Sequence, residues 1–386
     1  MSIYLPREDS FLIQIAVKDF TKGRVLDMGT GTGIQAITAA SNKSVKEVLA
    51  VDVNKKAIKY CKRNIKNKKI RFAFSDLFSN VRGKFDTIIF NPPYLPADKY
   101  KADISVIGGK RGYETIERFL ENAGKYLNEN GIILLLFSSL TGKEKIDEII
   151  EKNAFVFEQL QEKNVGLFEK LYVYLIRKNV LLKKLEKIRV TDVKKFAKGH
   201  RGVIYKGRYK NKKVAIKTQR ADICVKSLHN EINCLKKLQK YDIGPKLIEA
   251  KEDFFVYEFI EGSFIEDFVE KEKSSAKIKK VLKNIITQCR TLDELGINKE
   301  EMHHPYKHII VARNYKPFLV DFERCKKTNE PKNVTQFCQY LISGKMSYLL
   351  KKKNILIDKI RMIELAKLYK KNHDEKNFKK IVEMLK

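Results

Sequence analysis

At 386 residues with 43% hydrophobic content, the chain is long enough for two or three domains with packed cores. A mean hydropathy of -0.38, no apolar run of 18 residues and no charged-then-apolar leader exclude a membrane-spanning protein and point to a cytoplasmic one. The net charge of +32 is uneven: residues 1–180 hold 30 Lys/Arg against 21 Asp/Glu (+9), and residues 181–386 hold the remaining 49 against 26 (+23).

Tyr4-Leu5-Pro6-Arg7-Glu8-Asp9-Ser10-Phe11-Leu12 opens the chain, with Asp9 readable as a helix cap. Val25-Leu26-Asp27-Met28 then reads as a short apolar strand entering the turn Gly29-Thr30-Gly31-Thr32-Gly33, which leads into an apolar helix. Glycines there let the backbone approach a ligand at a helix N-terminus, and the spacing is G-x-G-x-G, not that of dinucleotide binders. A second strand, Val48 to Val51, ends in Asp52, about 20 residues on, where a carboxylate takes the ribose hydroxyls of an adenosine moiety. A third, Ile70 to Phe74, runs into Ser75-Asp76-Leu77.

The fourth strand, Thr87 to Phe90, stops at Asn91-Pro92-Pro93-Tyr94, because proline cannot donate to a central ladder. The side-chain oxygen of Asn91 and the proline-fixed carbonyl of Pro92 can accept hydrogen bonds from one planar –NH2 group, while Tyr94 stacks on its plane. That geometry suits methyl transfer to a weakly nucleophilic nitrogen, a Gln amide or an adenine or cytosine amine, with orientation and desolvation as the catalysis. Gly131 to Phe137 is another buried strand. Val156-Phe157-Glu158 and Leu171 to Ile176 read as an antiparallel edge hairpin, and Leu181 to Ile188 as an amphipathic helix at the boundary between halves.

These motifs together resemble the S-adenosylmethionine-dependent, HemK-type glutamine-N5 methyltransferases, in the archaeal and eukaryotic branch that modifies peptide-chain release factors. The resemblance spans residues 1–178 and includes Gly108-Gly109-Lys110-Arg111-Gly112-Tyr113-Glu114, which matches the stretch following the family's NPPY motif. It implies Ser10, Asp27, Gly29 and Gly31 around the methionine end of the cofactor, Asp52 on the ribose, and Asp76 with Leu77 on the adenine. It also implies that Asn91 and Tyr94 hold the acceptor amide. The expected acceptor is the glutamine of a release factor's Gly-Gly-Gln tip, and the expected partner is a small zinc-binding activator subunit. Methylation of adenine in RNA or DNA uses the same NPPY chemistry and stays open as an alternative.

In the second half, Gly199 and Gly202 lie in a glycine-containing hairpin (Ala197 to Gly207), followed by Val214-Ala215-Ile216-Lys217. Glu231 falls on a helix, and Phe318-Leu319-Val320-Asp321-Phe322-Glu323 ends the series. The order resembles protein kinases: Gly199 and Gly202 over ATP phosphates, Lys217 paired with Glu231, and Asp321 on magnesium, with Glu323 in place of a glycine. Counting back from Asp321 puts His303 at the base aspartate and His308 at the magnesium-binding asparagine, so an atypical kinase or a pseudokinase is expected. A kinase-like regulator with a vestigial methyltransferase is the third reading. Six cysteines without C-x-x-C spacing are expected to be reduced and buried.

The expected architecture is α/β: a seven-stranded Rossmann-like class I methyltransferase sheet (residues 1–180) fused to an α+β two-lobed kinase-like domain (residues 190–386). The cofactors expected are S-adenosylmethionine, with ATP and Mg in the second domain. The basic second half is a candidate surface for RNA or ribosome contact, set against the solvated faces of a lysine-rich protein.

Overall fold

The computed structural model describes residues 3–97, 106–199, 202–219 and 226–385; His200, Arg201 and Cys224 lie outside them. Packing divides the chain into two units, Met1–Phe196 with Gly207–Lys212, and Ala197–Lys206 with Lys213–Lys386.

The first unit runs α1 (Glu8–Phe20), β1 (Gly23–Met28), α2 (Ile34–Ser41), β2 (Val45–Asp52), α3 (Lys55–Asn64), β3 (Ile70–Phe74) and β4 (Phe85–Phe90). A short pair, β5 (Leu95–Pro96) and β6 (Ile107–Gly109), precedes α4 (Glu114–Tyr126), β7 (Leu127–Ser138) and α5 (Lys143–Lys152). The hairpin of β8 (Phe155–Val165) and β9 (Glu169–Lys178) and then α6 (Val180–Lys187) follow. Seven of these strands form one sheet in the order β3-β2-β1-β4-β7-β9-β8, parallel except where β9 and β8 pair antiparallel at one edge. The expected hairpin and boundary helix are both present.

Continuous burial along β1 and β4 matches a parallel sheet covered on both faces. Val25, Ile89, Leu134 and Val173 pack with α1 and α2 residues such as Ile13, Val17 and Ala39 in one core. Register then positions chemistry: Met28 pairs with Phe90, Val51 with Met28, and Asp52 with Phe74, so the carboxyl ends of β3, β2, β1 and β4 stand in a row. The strand order reverses between β1 and β4, the crevice where open α/β sheets bind ligands.

β10 (Val190–Lys198) and β11 (Gly202–Tyr209) contribute residues to both units. In the second unit, β12 (Lys212–Gln219), α7 (Lys226–Leu238), β13 (Leu247–Ala250) and β14 (Phe254–Glu258) come first. β14 pairs antiparallel with both β12 and β13, with Lys217 opposite Phe255. Next are β15 (Gly262–Phe264), α8 (Ile265–Lys271), the long α9 (Ser275–Glu294) and β16 (Ile297–Asn298). β17 (Ile309–Ala312) and β18 (Pro317–Leu319) join β15 in a small sheet, and β19 (Lys326–Lys327) pairs with β16. Four helices close the chain: Asn333–Leu341, Gly344–Lys352, Lys359–Asn372 and Glu375–Glu383. One apolar cluster joins α7, α9 and these helices through Leu235, Ile285, Phe322, Phe337 and Tyr369. The five described cysteines are buried free thiols. Among the described residues no helix is long and apolar enough to cross a membrane.

Candidate active site

The turn after β1 descends to α2 through Gly33, the N-cap residue, at φ 86°. That left-handed conformation favours glycine; a Cβ there would also lie 2.5 Å from Ile65 Cδ1, the movable end of a side chain. Asp27, at the end of β1, is 2% exposed and accepts a 2.6 Å hydrogen bond from Thr30 Oγ1. Burial pushes its carboxyl up to about 7, against the Thr30 hydrogen bond and aided by the nearby Asp52. Asp52 ends β2 and accepts the backbone N–H of Gly31 at 2.9 Å and of Asn54 at 2.7 Å. Burial raises its pKa as well. A cavity of about 610 Å³ opens above these strand ends. Its wall includes all ten residues singled out in the first half: Ser10, Asp27, Gly29, Gly31, Asp52, Asp76, Leu77, Asn91, Pro92 and Tyr94.

Asn91 follows the last residue of β4, and its Nδ2 donates to Asp9 Oδ2 at 2.9 Å. Its Oδ1 is buried and, among the described residues, has no hydrogen-bond partner. Asp9 does not cap α1: the N-cap residue is Arg7, without a side-chain bond, and Asp9 lies inside the first turn. It also accepts from Tyr4 Oη at 3.0 Å, from the Ser10 N–H at 2.7 Å and from Ser10 Oγ at 3.3 Å. Burial, then the charge of Asp9, holds the Tyr94 phenol far above its ordinary value, so the ring is neutral. The glycines after NPPY have a packing cause. A Cβ on Gly108 would meet Pro93 O at 2.5 Å and Tyr94 Cα at 2.9 Å, so the strand β6 can lie against the loop only without one. Tyr4, Thr30 and Gln35 also line the cavity and were not singled out in the sequence. Gln35 Nε2 donates to the Ser10 carbonyl at 2.8 Å while its buried Oε1 is unpartnered. Only its position in the first turn of α2 hinted at this.

In the second unit, Lys217 Nζ lies 2.6 Å from Glu231 Oε2, 3.0 Å from Asp321 Oδ1 and 3.5 Å from Glu323 Oε2. Burial works against its ammonium, but the Glu231 and Asp321 carboxylates outweigh it and push its pKa up. Glu231 Oε1 also accepts the Phe322 N–H at 3.2 Å. Asp321 stands at φ 62°, a left-handed conformation that a non-glycine residue holds only when its surroundings impose it. A Cβ added to Gly202 would meet the Thr218 carbonyl at 2.6 Å and come 3.6 Å from Lys217 Cε, and the Gly199 N–H donates to the Gly202 carbonyl at 2.9 Å.

His303 is not part of this cluster: it is exposed, with Nδ1 2.7 Å from the Glu300 carbonyl. The segment reaching Asp321 is instead Lys299-Glu300-Glu301. Lys299 is fully buried, donates to the Asp321 carbonyl and sits 3.1 Å from Glu301 Oε2. His308 does face Asp321, Nδ1 to Oδ2 at 3.7 Å, and burial and then Lys299 lower its pKa.

A mainly parallel seven-stranded sheet with its ligand-competent residues at the carboxyl ends of β1 to β4 defines a class I methyltransferase. Residues 9–164 match the Methyltransferase small domain family, and residues 190–355 match the Protein tyrosine and serine/threonine kinase family. A "Putative protein N5-glutamine methyltransferase" of Methanocaldococcus jannaschii is 43% identical over 155 residues, which cover 38% of this chain and 78% of the relative. The chain belongs to the protein N5-glutamine methyltransferase family, with a kinase-like domain following the methyltransferase domain in the sequence. The release factor glutamine methyltransferase of Haemophilus influenzae is 29% identical over 177 residues, covering 39% of this chain; the chain spans 60% of that protein's length. Among solved structures, the Mtq2–Trm112 complex of E. cuniculi, which methylates the termination factor eRF1, is 25% identical with a TM-score of 0.38. That match covers 46% of this chain and all of the other.

Proposed function

We propose that residues 1–180 form an S-adenosylmethionine-dependent methyltransferase domain acting on the amide nitrogen of a glutamine in a peptide-chain release factor. The observation that carries this reading is the unpartnered, buried Oδ1 of Asn91 at the end of β4, in the wall of a 610 Å³ cavity. A primary amide brought there donates one N–H to Asn91, and Pro92 and Tyr94 fix its plane. Held in that orientation, the amide nitrogen meets a methyl donor head-on, and its proton leaves to water after transfer. The residues present fit the cofactor. Asp27 and Asp52 are buried carboxylates suited to its cationic and ribose groups, Ser10 and the backbone of Gly29 and Gly31 border the same space, and Asp76 and Leu77, also in the wall, would meet its adenine. When bound, S-adenosylmethionine supplies the electrophilic methyl.

Relatives named for glutamine methylation support a protein acceptor over a nucleic acid. Transfer of labelled methyl to purified release factor, but not to a Gln-to-Ala release factor or to total RNA, is the expected result. Label on RNA alone would move the assignment to adenine. A small zinc-binding activator subunit belongs to the proposal and is supplied in the assay.

For residues 190–386 we propose a nucleotide-binding kinase-like domain, with Lys217 and Glu231 as the phosphate-facing pair and Gly199 and Gly202 in the loop over the phosphates. Carboxylate oxygens of Glu231, Asp321 and Glu323 lie within 4.8 Å of one another, a donor set that fits a divalent cation; Asp321 and Glu323 would hold it and neutralise phosphate charge. The strongly basic second half makes RNA or ribosome contact a separate expectation, read out by the salt dependence of binding.

A further inference from the structure

We infer that Asp9 is a positioning residue for methyl transfer: it locks the Asn91 side-chain amide in the one orientation that turns Oδ1 toward the acceptor nitrogen. This rests on the methyl-transfer reading of the cavity. A carboxylate offers about four lone-pair sites, and Asp9 has four donors on it, two at each oxygen. Asn91 Nδ2 and Tyr4 Oη occupy Oδ2 at 2.9 and 3.0 Å; the Ser10 N–H and Ser10 Oγ occupy Oδ1 at 2.7 and 3.3 Å. Asp9 is only 5% exposed, so water does not compete for these bonds.

Two consequences follow. No lone pair of Asp9 is left for the substrate, so it is neither a proton acceptor nor a direct ligand of the reacting group. And because a carboxylate can only accept, it selects the –NH2 end of Asn91 and rejects the flipped amide, in which two oxygens would face each other. Asn91 Oδ1 is thereby left as a buried acceptor without a partner among the described residues, on a side chain of the cavity wall. An acceptor nitrogen becomes positive as the methyl arrives and its N–H bonds become better donors. The carboxylate behind Asn91 polarises that side chain in the matching sense, so the contact strengthens toward the transition state.

The kinetic test is a double-mutant cycle in the full chain with Asp9→Ala, Asn91→Ala and both. Asp9→Ala is expected to lower kcat about 10²-fold, the cost of misplacing an orienting group. Binding of S-adenosylhomocysteine, measured by calorimetry, should weaken far less than kcat falls, since Asp9 reaches the cofactor side only through Ser10, whose N–H and Oγ it accepts. In the Asn91→Ala background, Asp9→Ala should cost little more. Additive losses would overturn the inference and leave Asp9 as a fold-supporting residue.

Asp9→Asn separates the charge from the lock. Its own –NH2 can satisfy the flipped Asn91, so it should fall between wild type and Asp9→Ala. A second readout needs no substrate at all. In protein labelled with ¹⁵N-asparagine, the side-chain NH2 resonances of Asn91, identified by their loss in Asn91→Ala, should be resolved and slow to exchange in wild type and collapse in Asp9→Ala. If the wild type methylates nothing but these signals behave as stated, the acceptor assignment fails while the lock stands. If they are averaged in wild type, the lock fails whatever the substrate.

Discussion

The two candidate sites of this chain differ in how much of their motifs they retain and in what they leave open: the NPPY and glycine-turn motifs are intact, whereas the kinase-like half has His303, His308 and Glu323 at motif positions. In the methyltransferase unit the central polar group, Asn91 Oδ1, is buried without a partner among the described residues, on a side chain that borders a large cavity. In the kinase-like unit the central group, Lys217, is shared among three carboxylates at 2.6, 3.0 and 3.5 Å. A site whose key atom is unsatisfied is made for a ligand that satisfies it. A site whose key atom is internally neutralised is first a structural ion cluster, and a nucleotide must compete with Glu231, Asp321 and Glu323 for the same ammonium.

The sharpest way to break that contrast is to remove each central group. Lys217→Met leaves three neighbouring carboxylates without their cation in a pocket where the lysine side chain is only 12% exposed. The second unit should lose about 3–5 kcal/mol in a urea unfolding transition, the usual cost of stranding buried charge. A loss near zero would show that the cluster is solvated and open. Asn91→Ala should do the reverse: little change in the unfolding midpoint, but a fall of about 10²–10³ in methyl transfer, as for loss of one orienting donor or acceptor in a preorganised site.

pH tests the same idea more gently. Asp27 is held near pH 7, far above its ordinary value of 3.8, by burial. In the free protein the folded state therefore binds a proton that the unfolded state releases between about pH 4 and 7, and this group's contribution to stability falls as pH rises through that window. A cationic cofactor favours the ionised form and reverses the trend. The thermal shift produced by S-adenosylmethionine should grow from pH 6 to pH 8, with proton release visible in calorimetry across buffers of different ionisation enthalpy. A pH-independent shift would place Asp27 away from the positive charge. The smallest effect is at the rim. Arg118 bridges Asp76 at 3.1 Å with both side chains more than half exposed, so Arg118→Ala should cost less than about 1 kcal/mol of stability.

Much of the first site was legible in the sequence because a parallel sheet makes it so. Strands ending in Met28, Asp52, Phe74 and Phe90 have to align once their apolar runs are paired, and the residues at or after each end share one crevice. Asp9 was named but not understood, since its bond to Asn91 joins residues 82 positions apart and no local spacing encodes it. The same limit misplaced the kinase-like loop. Counting a fixed interval back from Asp321 selected His303, whereas the fold brings up Lys299 and Glu301 and turns His303 to solvent. The contact that decides this, the Lys299 ammonium on the Asp321 carbonyl, is a tertiary hydrogen bond between two loops.

The most direct test of the central claim is methyl transfer from labelled S-adenosylmethionine to purified release factor, with activator subunit present, by wild type and Asn91→Ala. The account predicts label on the release factor that disappears with Asn91→Ala and with a Gln-to-Ala substrate. Label that persists in Asn91→Ala, or none on the release factor under any of these conditions, would contradict it.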